Sequence, residues 1–145
     1  MSKEPIEREI LIDASLERVW PLVATPGFWV TEEASLIGAV AKEGDSIIVK
    51  NPKWGDFPVR VEKVDPETYV AYRWVTAFPG EELRDDNSTL VEFTLTREGG
   101  KTRLRVIESG FATLPTSEEL REKTLNDNAS GWPQVLDEVK SRAEK

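Results

Sequence analysis

Glu108 is the residue whose position most clearly asks for chemistry. In the stretch Thr102 to Ser109, alternation puts Glu108 on one face with Leu104 and Val106. Arg103, Arg105 and Ile107 take the other. A carboxylate that shares a face with apolar side chains must be ion-paired, hydrogen-bonded or protonated. Two roles are open. One is a structural ion pair, with Arg8 as the candidate partner. The other is a polar anchor on a cavity floor, orienting a ligand's hydroxyl or amine or acting as an acid of raised pKa.

Aromatic residues make the second set. Thr68 to Thr76 reads TYVAYRWVT, β-branched and aromatic almost throughout, and is the strongest strand by composition. Val70, Tyr72 and Trp74 face one way; Arg73 faces the other, towards solvent. Phe93 and Val91 share the inward face of Leu90 to Arg97. Aromatics on such a face are either plain core or cavity lining, with a phenol hydroxyl or indole N–H offered to a ligand. Trp132 belongs to an apolar stripe near the end of the chain, where core packing and ligand contact are compatible. Phe28, Trp29 and Trp54 are candidates for a pocket mouth. Trp54 lies in the turn-like KWGD, so it either contacts a lid or partner or folds back onto the sheet.

Composition narrows the chemistry. The 145 residues include no histidine and no cysteine. Ser-His-Asp triads, Cys-His pairs, disulfides and thiolate or imidazole metal sites are excluded. Acid–base work would fall to a carboxyl, Lys or Tyr of strongly shifted pKa. No metal or cofactor is expected. With 19 basic against 27 acidic residues the net charge is −8, which argues against nucleic acid or an anionic membrane as partner. There is no apolar run of about 18 residues, so no membrane insertion is expected. The opening MSKEPIERE lacks the apolar segment of a signal peptide. A cytoplasmic location and a single domain over residues 1–145 are the expectation, large enough to bury roughly 70% of the unfolded chain's surface.

The elements that must position these residues follow from periodicity. Ile6 to Ile12 alternates as a strand, with Ile6, Arg8, Ile10 and Ile12 inward; Arg8 there calls for a carboxylate partner. Leu16, Val19, Trp20 and Val23 make a short helix interrupted by Pro21. Phe28 to Val30 reads as a second short helix or a turn. Strands follow at Leu36–Val40 (weak), Ser46–Lys50, Phe57–Lys63, Thr68–Thr76, Leu90–Arg97 and Thr102–Ser109, separated by turn signals. Ala77 to Ser88 is an acidic, turn-rich connection, read either as a mobile rim loop or as a long hairpin loop. After Pro115, Leu120, Leu125, Trp132, Leu136, Val139 and Ala143 form one helical stripe, with Thr116 as cap and Glu119 as its capping-box partner. The class is α+β: a curved antiparallel sheet of six or seven strands wrapped around a long C-terminal helix, with two short helices after strand 1.

The opening ILIDASLERVW resembles the start of the START-like, Bet v 1-like (SRPBCC) superfamily, whose fold is the helix-grip. ESGF at Glu108 to Phe111, then Asn128 and Gly131-Trp132 before LDEVK, resembles the activator of Hsp90 ATPase homologue 1-like branch. The resemblance covers essentially the whole chain. It implies a cavity between sheet and long helix that takes a lipid-, polyketide- or flavonoid-like molecule. It also implies that Asn128 reaches into that cavity rather than solvating the helix. The chain departs from the pattern in lacking the pocket histidines of many members, and in its two Trp-Pro pairs, which should bend the bordering helices.

The expected function is therefore binding of a small hydrophobic ligand by Trp29, Trp54, Tyr72, Trp74, Phe93, Glu108, Asn128 and Trp132, with no catalytic residue assigned. The alternatives are a polyketide cyclase or dehydratase-like enzyme using Glu108, Tyr72 or Asn128, and a protein-interaction module akin to an Hsp90 co-chaperone. The state expected is monomer or homodimer.

Overall fold

The computed structural model describes residues 5–30, 42–76, 78 and 80–145. Its elements run β1 (Ile6–Ile12), α1 (Leu16–Val23), β2 (Ser46–Asn51), β3 (Gly55–Asp65), β4 (Tyr69–Trp74), β5 (Thr89–Glu98), β6 (Lys101–Ser109) and α2 (Glu118–Ala143). The six strands form one sheet in the order β1-β6-β5-β4-β3-β2. Every neighbouring pair is antiparallel. This is an α+β helix-grip architecture: a curved sheet holding one long helix.

Alternation decides what the sheet presents to that helix. Phe57, Val59 and Val61 of β3, Val70 and Tyr72 of β4, Val91, Phe93 and Leu95 of β5, and Leu104, Val106 and Glu108 of β6 are all buried. The opposite face carries ion pairs instead. Arg60 meets Glu62 and Asp85, Arg73 meets Glu62, and Arg103 and Arg105 meet Glu9 and Glu7. Such exposed pairs each contribute about 0–1 kcal/mol, so they keep that face wet more than they hold the fold. A register shift between Val61 and Lys63 interrupts the ladder, which bends a strand and raises its twist. Between β5 and β6 the turn is only Gly99-Gly100, with Gly99 at φ 64°.

The long helix starts one residue later than expected. Ser117, not Thr116, is the cap: its hydroxyl accepts from the Leu120 N–H at 3.1 Å. The Thr116 N–H is already bonded to the Leu114 carbonyl. Leu125, Trp132, Leu136, Val139 and Ala143 are buried as the stripe requires. Leu120 is exposed, because the first turn projects beyond the sheet's cover. Neither Pro21 nor Pro133 ends its helix. Each removes one backbone bond, and the buried residues on both sides hold the helix through the gap.

One further expectation changes, that of an inward Arg8, and two open alternatives are decided. Pro26 to Val30 is a run of turns rather than a helix, closed by Phe28 N–H to Thr25 O and Val30 N–H to Gly27 O. Arg8 is exposed and donates to the Glu7 carbonyl; β1 is an edge strand, so a long side chain on it reaches water around the edge. Within the connection before β5, Asn87 is fully buried, accepting from the Arg84 N–H and donating to the Glu82 carbonyl, so that part is an ordered hairpin loop. The weak strand expected over Leu36–Val40 lies outside the described residues.

Gly27 fixes how the turn meets the sheet. Its φ is 76°, and a Cβ built on it would lie 2.3 Å from Val49 Cγ2. Gly27→Ala should therefore lower stability by about 1–3 kcal/mol through overpacking and left-handed strain, read as a shift in urea midpoint. Leu136→Ala, which opens the helix–sheet contact, should cost about 2–5 kcal/mol in the same assay. A neutral Gly27→Ala would show that this approach is not tight.

Candidate functional site

Glu108 is fully buried and no cation faces it among the described residues. In register it stands opposite Ile6 on β1 and Val91 on β5. Four side chains converge on its carboxylate. Oε2 accepts from Trp74 Nε1 at 2.9 Å and from Thr89 Oγ1 at 2.6 Å. Oε1 accepts from Trp132 Nε1 at 2.8 Å. Asn128 Nδ2 lies 3.1 Å from Oε1 and 3.2 Å from Oε2. The expected ion pair with Arg8 is absent; an all-neutral donor set replaces it.

Local structure explains each donor. Trp74 ends β4 and pairs across the ladder with Thr89, the first residue of β5. Thr89, Val91, Phe93 and Leu95 share one face of β5, so Thr89 continues the inward row. Asn128 and Trp132 are four residues apart on α2, hence on one face. Asn128 also donates to Thr76 Oγ1 at 2.9 Å. Thr76 is buried at φ 45°, a conformation that is a genuine outlier for a β-branched residue. Its strain sits directly beside the carboxylate.

The electrostatics have a clear sign. Burial pushes the Glu108 pKa above its ordinary value of 4.5, while hydrogen bonds from Thr89, Trp74, Trp132 and Asn128 pull it down without cancelling the rise. Neutral donors satisfy lone pairs but do not neutralise charge. An indole N–H cannot accept, so among the contacting atoms the Thr89 hydroxyl is where an acid proton on Glu108 finds an acceptor.

Around this network stands a cluster of rings. Trp29 lies at its centre, with ring centroids 5.4 Å from Phe28, 5.1 Å from Tyr72, 5.6 Å from Trp74, 5.9 Å from Phe93 and 6.0 Å from Trp132. These spacings are those of favourable tilted and edge contacts. Among the described residues the buried Trp29 Nε1 has no hydrogen-bond partner, an omission that costs about 1–3 kcal/mol. Trp29 packs against this cluster while staying partly exposed, which is compatible with the pocket-mouth position expected for it. Tyr72 is fully buried, and its hydroxyl donates to the Val23 carbonyl at 2.5 Å. That bond ties β4 to α1, and burial raises the phenol pKa strongly.

A recess of about 130 Å³ adjoins the network, lined by Trp29, Trp74, Asn128, Trp132 and Val135 among others. A second, of about 360 Å³, lies beyond Trp29 and is lined by Leu22, Phe28, Trp29, Val135 and Val139 among others. Among the described residues, Asn128 Oδ1 accepts no hydrogen bond. Seven expected residues, Trp29, Tyr72, Trp74, Phe93, Glu108, Asn128 and Trp132, therefore meet in one place. Trp54 does not. It is 63% exposed in the β2–β3 turn, under the Lys53 ammonium at 4.9 Å, and lines neither recess. Thr89 and Thr76 were not anticipated. No group of three carboxylates placed to hold a metal ion occurs among the described residues, nor does any helix long and apolar enough to cross a membrane.

The fold and this interior define a helix-grip protein with a START-like, Bet v 1-like arrangement. Comparison with known proteins gives the family. The family described as activator of Hsp90 ATPase homolog 1-like protein matches residues 13–144, and the chain belongs to it. Among solved structures it is similar to protein MLL2253 from Mesorhizobium loti, at 19% identity, TM-score 0.73 and 97% coverage of both chains. DynU16, a putative protein in the dynemicin biosynthetic locus, is 18% identical at TM-score 0.71, covering 99% of this chain and 48% of that one. The Aha1 dimer from Colwellia psychrerythraea is 17% identical at TM-score 0.61, covering 94% of this chain and 96% of that one. At these identities the likeness is one of fold. No curated protein matches the chain.

The raised pKa of Glu108 sets a pH dependence. The folded state binds its proton more tightly than the unfolded state does. Glu108 therefore contributes stability below about pH 4.5 that is lost as pH rises through the folded pKa. Glu108→Gln sets an amide N–H₂ against indole or amide donors and should cost about 1–3 kcal/mol. The wild-type advantage over this variant should shrink above pH 4.5, by at most about 1.4 kcal/mol per pH unit. Urea titrations of both proteins from pH 4 to 8 measure it; a pH-independent difference would remove the raised pKa.

Proposed function

We propose that this protein binds a small hydrophobic molecule between the sheet and α2, with the molecule's polar end on Asn128. The observation that carries the reading is the recess beside the buried Glu108 network. Its walls are mainly aromatic and apolar, and they include Asp127 and Asn128, whose Oδ1 accepts no hydrogen bond among the described residues. Few polar groups in an apolar concavity is the composition of a small-molecule site. Lipid-, polyketide- and flavonoid-like molecules all fit that description. Glu108 acts there as a positioning residue: it fixes the Asn128 amide so that Nδ2 points inward and Oδ1 towards the recess.

A proton-transfer enzyme would draw on the raised pKa of Glu108. Both of its oxygens, however, are occupied by four donors, and the Tyr72 hydroxyl is committed to the Val23 carbonyl. Neither is presented to the recess, which favours binding over catalysis. The Hsp90 role in the family description is that of its namesake, and no feature of this interior calls for it.

Native mass spectrometry of the purified protein, followed by denaturing extraction, tests the reading. The expected result is a defined small-molecule adduct, lost from an Asn128→Leu variant that still folds. A clean unliganded mass, together with no thermal shift from a panel of apolar lipids and phenols, would overturn it.

A further inference from the structure

We propose that the Trp29 indole is a plug that the ligand displaces, and that the displacing molecule is flat, of about indole size, free of negative charge, and carries one hydroxyl or N–H donor for Asn128 Oδ1. This rests on the binding reading above and specifies its occupant and its entry step.

Position is the first argument. Trp29 contacts rings from its own turn, β4, β5 and α2 at 5.1–6.0 Å. It is placed as a ligand would be, at the focus of the interior. Together with Val135 it lines both the 130 Å³ and the 360 Å³ recess. The first alone is below the roughly 300–1,000 Å³ of ordinary ligand pockets. Moving one ring joins the two.

The hydrogen bonds are the second argument. Trp74 and Trp132 each give their N–H to Glu108. Trp29 gives its N–H to nothing, although that atom is buried. Among the described residues the indole is therefore held by apolar packing without a hydrogen bond. A flat molecule that reproduces those contacts and also reaches Asn128 Oδ1 makes one hydrogen bond more than the plug does. Trp29 hangs from a turn, not from a helix or strand, so its side chain can reorient without breaking a ladder.

Charge is the third. Among the described residues no cation faces Glu108, and the Asp127 that lines the recess is exposed and paired with Lys123 at 2.7 Å. A carboxylate-bearing ligand would find no cation in the lining of the recess. A hydroxyl or N–H meets a carbonyl acceptor. Fatty acid anions are thereby disfavoured against alcohols, phenols and lactams.

Isothermal titration at pH 7 with 2-naphthol, 2-methoxynaphthalene and 2-naphthoate tests each part, using the wild type, Trp29→Ala and the double variant Trp29→Ala/Asn128→Leu. Removing the plug removes the cost of expelling it, so Trp29→Ala should bind 2-naphthol about tenfold tighter or more. It should prefer 2-naphthol to both analogues. The double variant should bind 2-naphthol no better than 2-methoxynaphthalene. Naphthol binding to the wild type with equal or weaker binding to Trp29→Ala would make Trp29 a wall and overturn the plug, leaving the binding reading intact. A preference for 2-naphthoate would overturn the ligand class. If neither protein binds any probe the plug falls too, while the extraction experiment still judges the binding reading. Should Trp29→Ala fail to fold, the wild-type indole N–H resonances decide. Trp29, assigned with Trp29→Phe, should go from slow to fast hydrogen exchange on saturation with 2-naphthol; continued protection would overturn the plug.

Discussion

The interior is arranged around one desolvated carboxylate without a counterion. A bare carboxylate in an apolar space is prohibitively costly. Glu108 is tolerated because Trp74, Thr89, Asn128 and Trp132 bring N–H and O–H groups to both oxygens. Those groups come from β4, β5 and α2, so satisfying one side chain fixes the mutual position of three elements and β6. Partial satisfaction would be costly, since each lost donor leaves a buried acceptor uncompensated. A lysine or arginine would have neutralised the charge. It would also have displaced one of the rings that pack here, and its own desolvation would have cancelled much of the gain.

The rings follow from the same constraint. Two of the donors are indoles, so their bodies must pack beside Glu108, and Phe93 and Tyr72 complete the floor. Trp29 then enters from a turn rather than from the sheet, over Gly27, where the backbone runs too close to Val49 for a side chain. The result is an interior largely filled by the protein's own aromatics, with small recesses on either side of one of them.

Much of this was legible in the sequence, and the exceptions have physical causes. Period-two alternation placed Glu108, Tyr72, Trp74 and Phe93 on the concave face, because a strand allows a side chain only two directions. The four-residue spacing of Asn128 and Trp132 likewise put both on one helix face. Trp29 was legible as a candidate but not in its direction, which depends on a chain of turns, for which sequence supplies no period. Arg8 obeyed the alternation yet escaped to solvent, because edge position is a property of strand order. Ser117 and Thr116 are adjacent and equally able to cap, so only backbone geometry separates them. Thr89 was readable as the next inward position of β5. Thr76 was not, since nothing in a sequence announces a β-branched residue at positive φ.

That strained threonine explains why Asn128 belongs to the site and not to the helix surface. Its amide nitrogen is shared between Thr76 Oγ1 and the Glu108 carboxylate. An ionised carboxylate can only accept, so Glu108 demands the N–H₂ end and a flip of the amide would lose that bond. Donation to an ionised carboxylate polarises the amide and strengthens its carbonyl as an acceptor. The buried charge is thus felt at the recess through Asn128: it favours a donor there and repels an anion. Protonating Glu108 would weaken that preference without any change of shape. On the binding reading proposed above, ligand selectivity and the ionisation of Glu108 are linked through a single side chain.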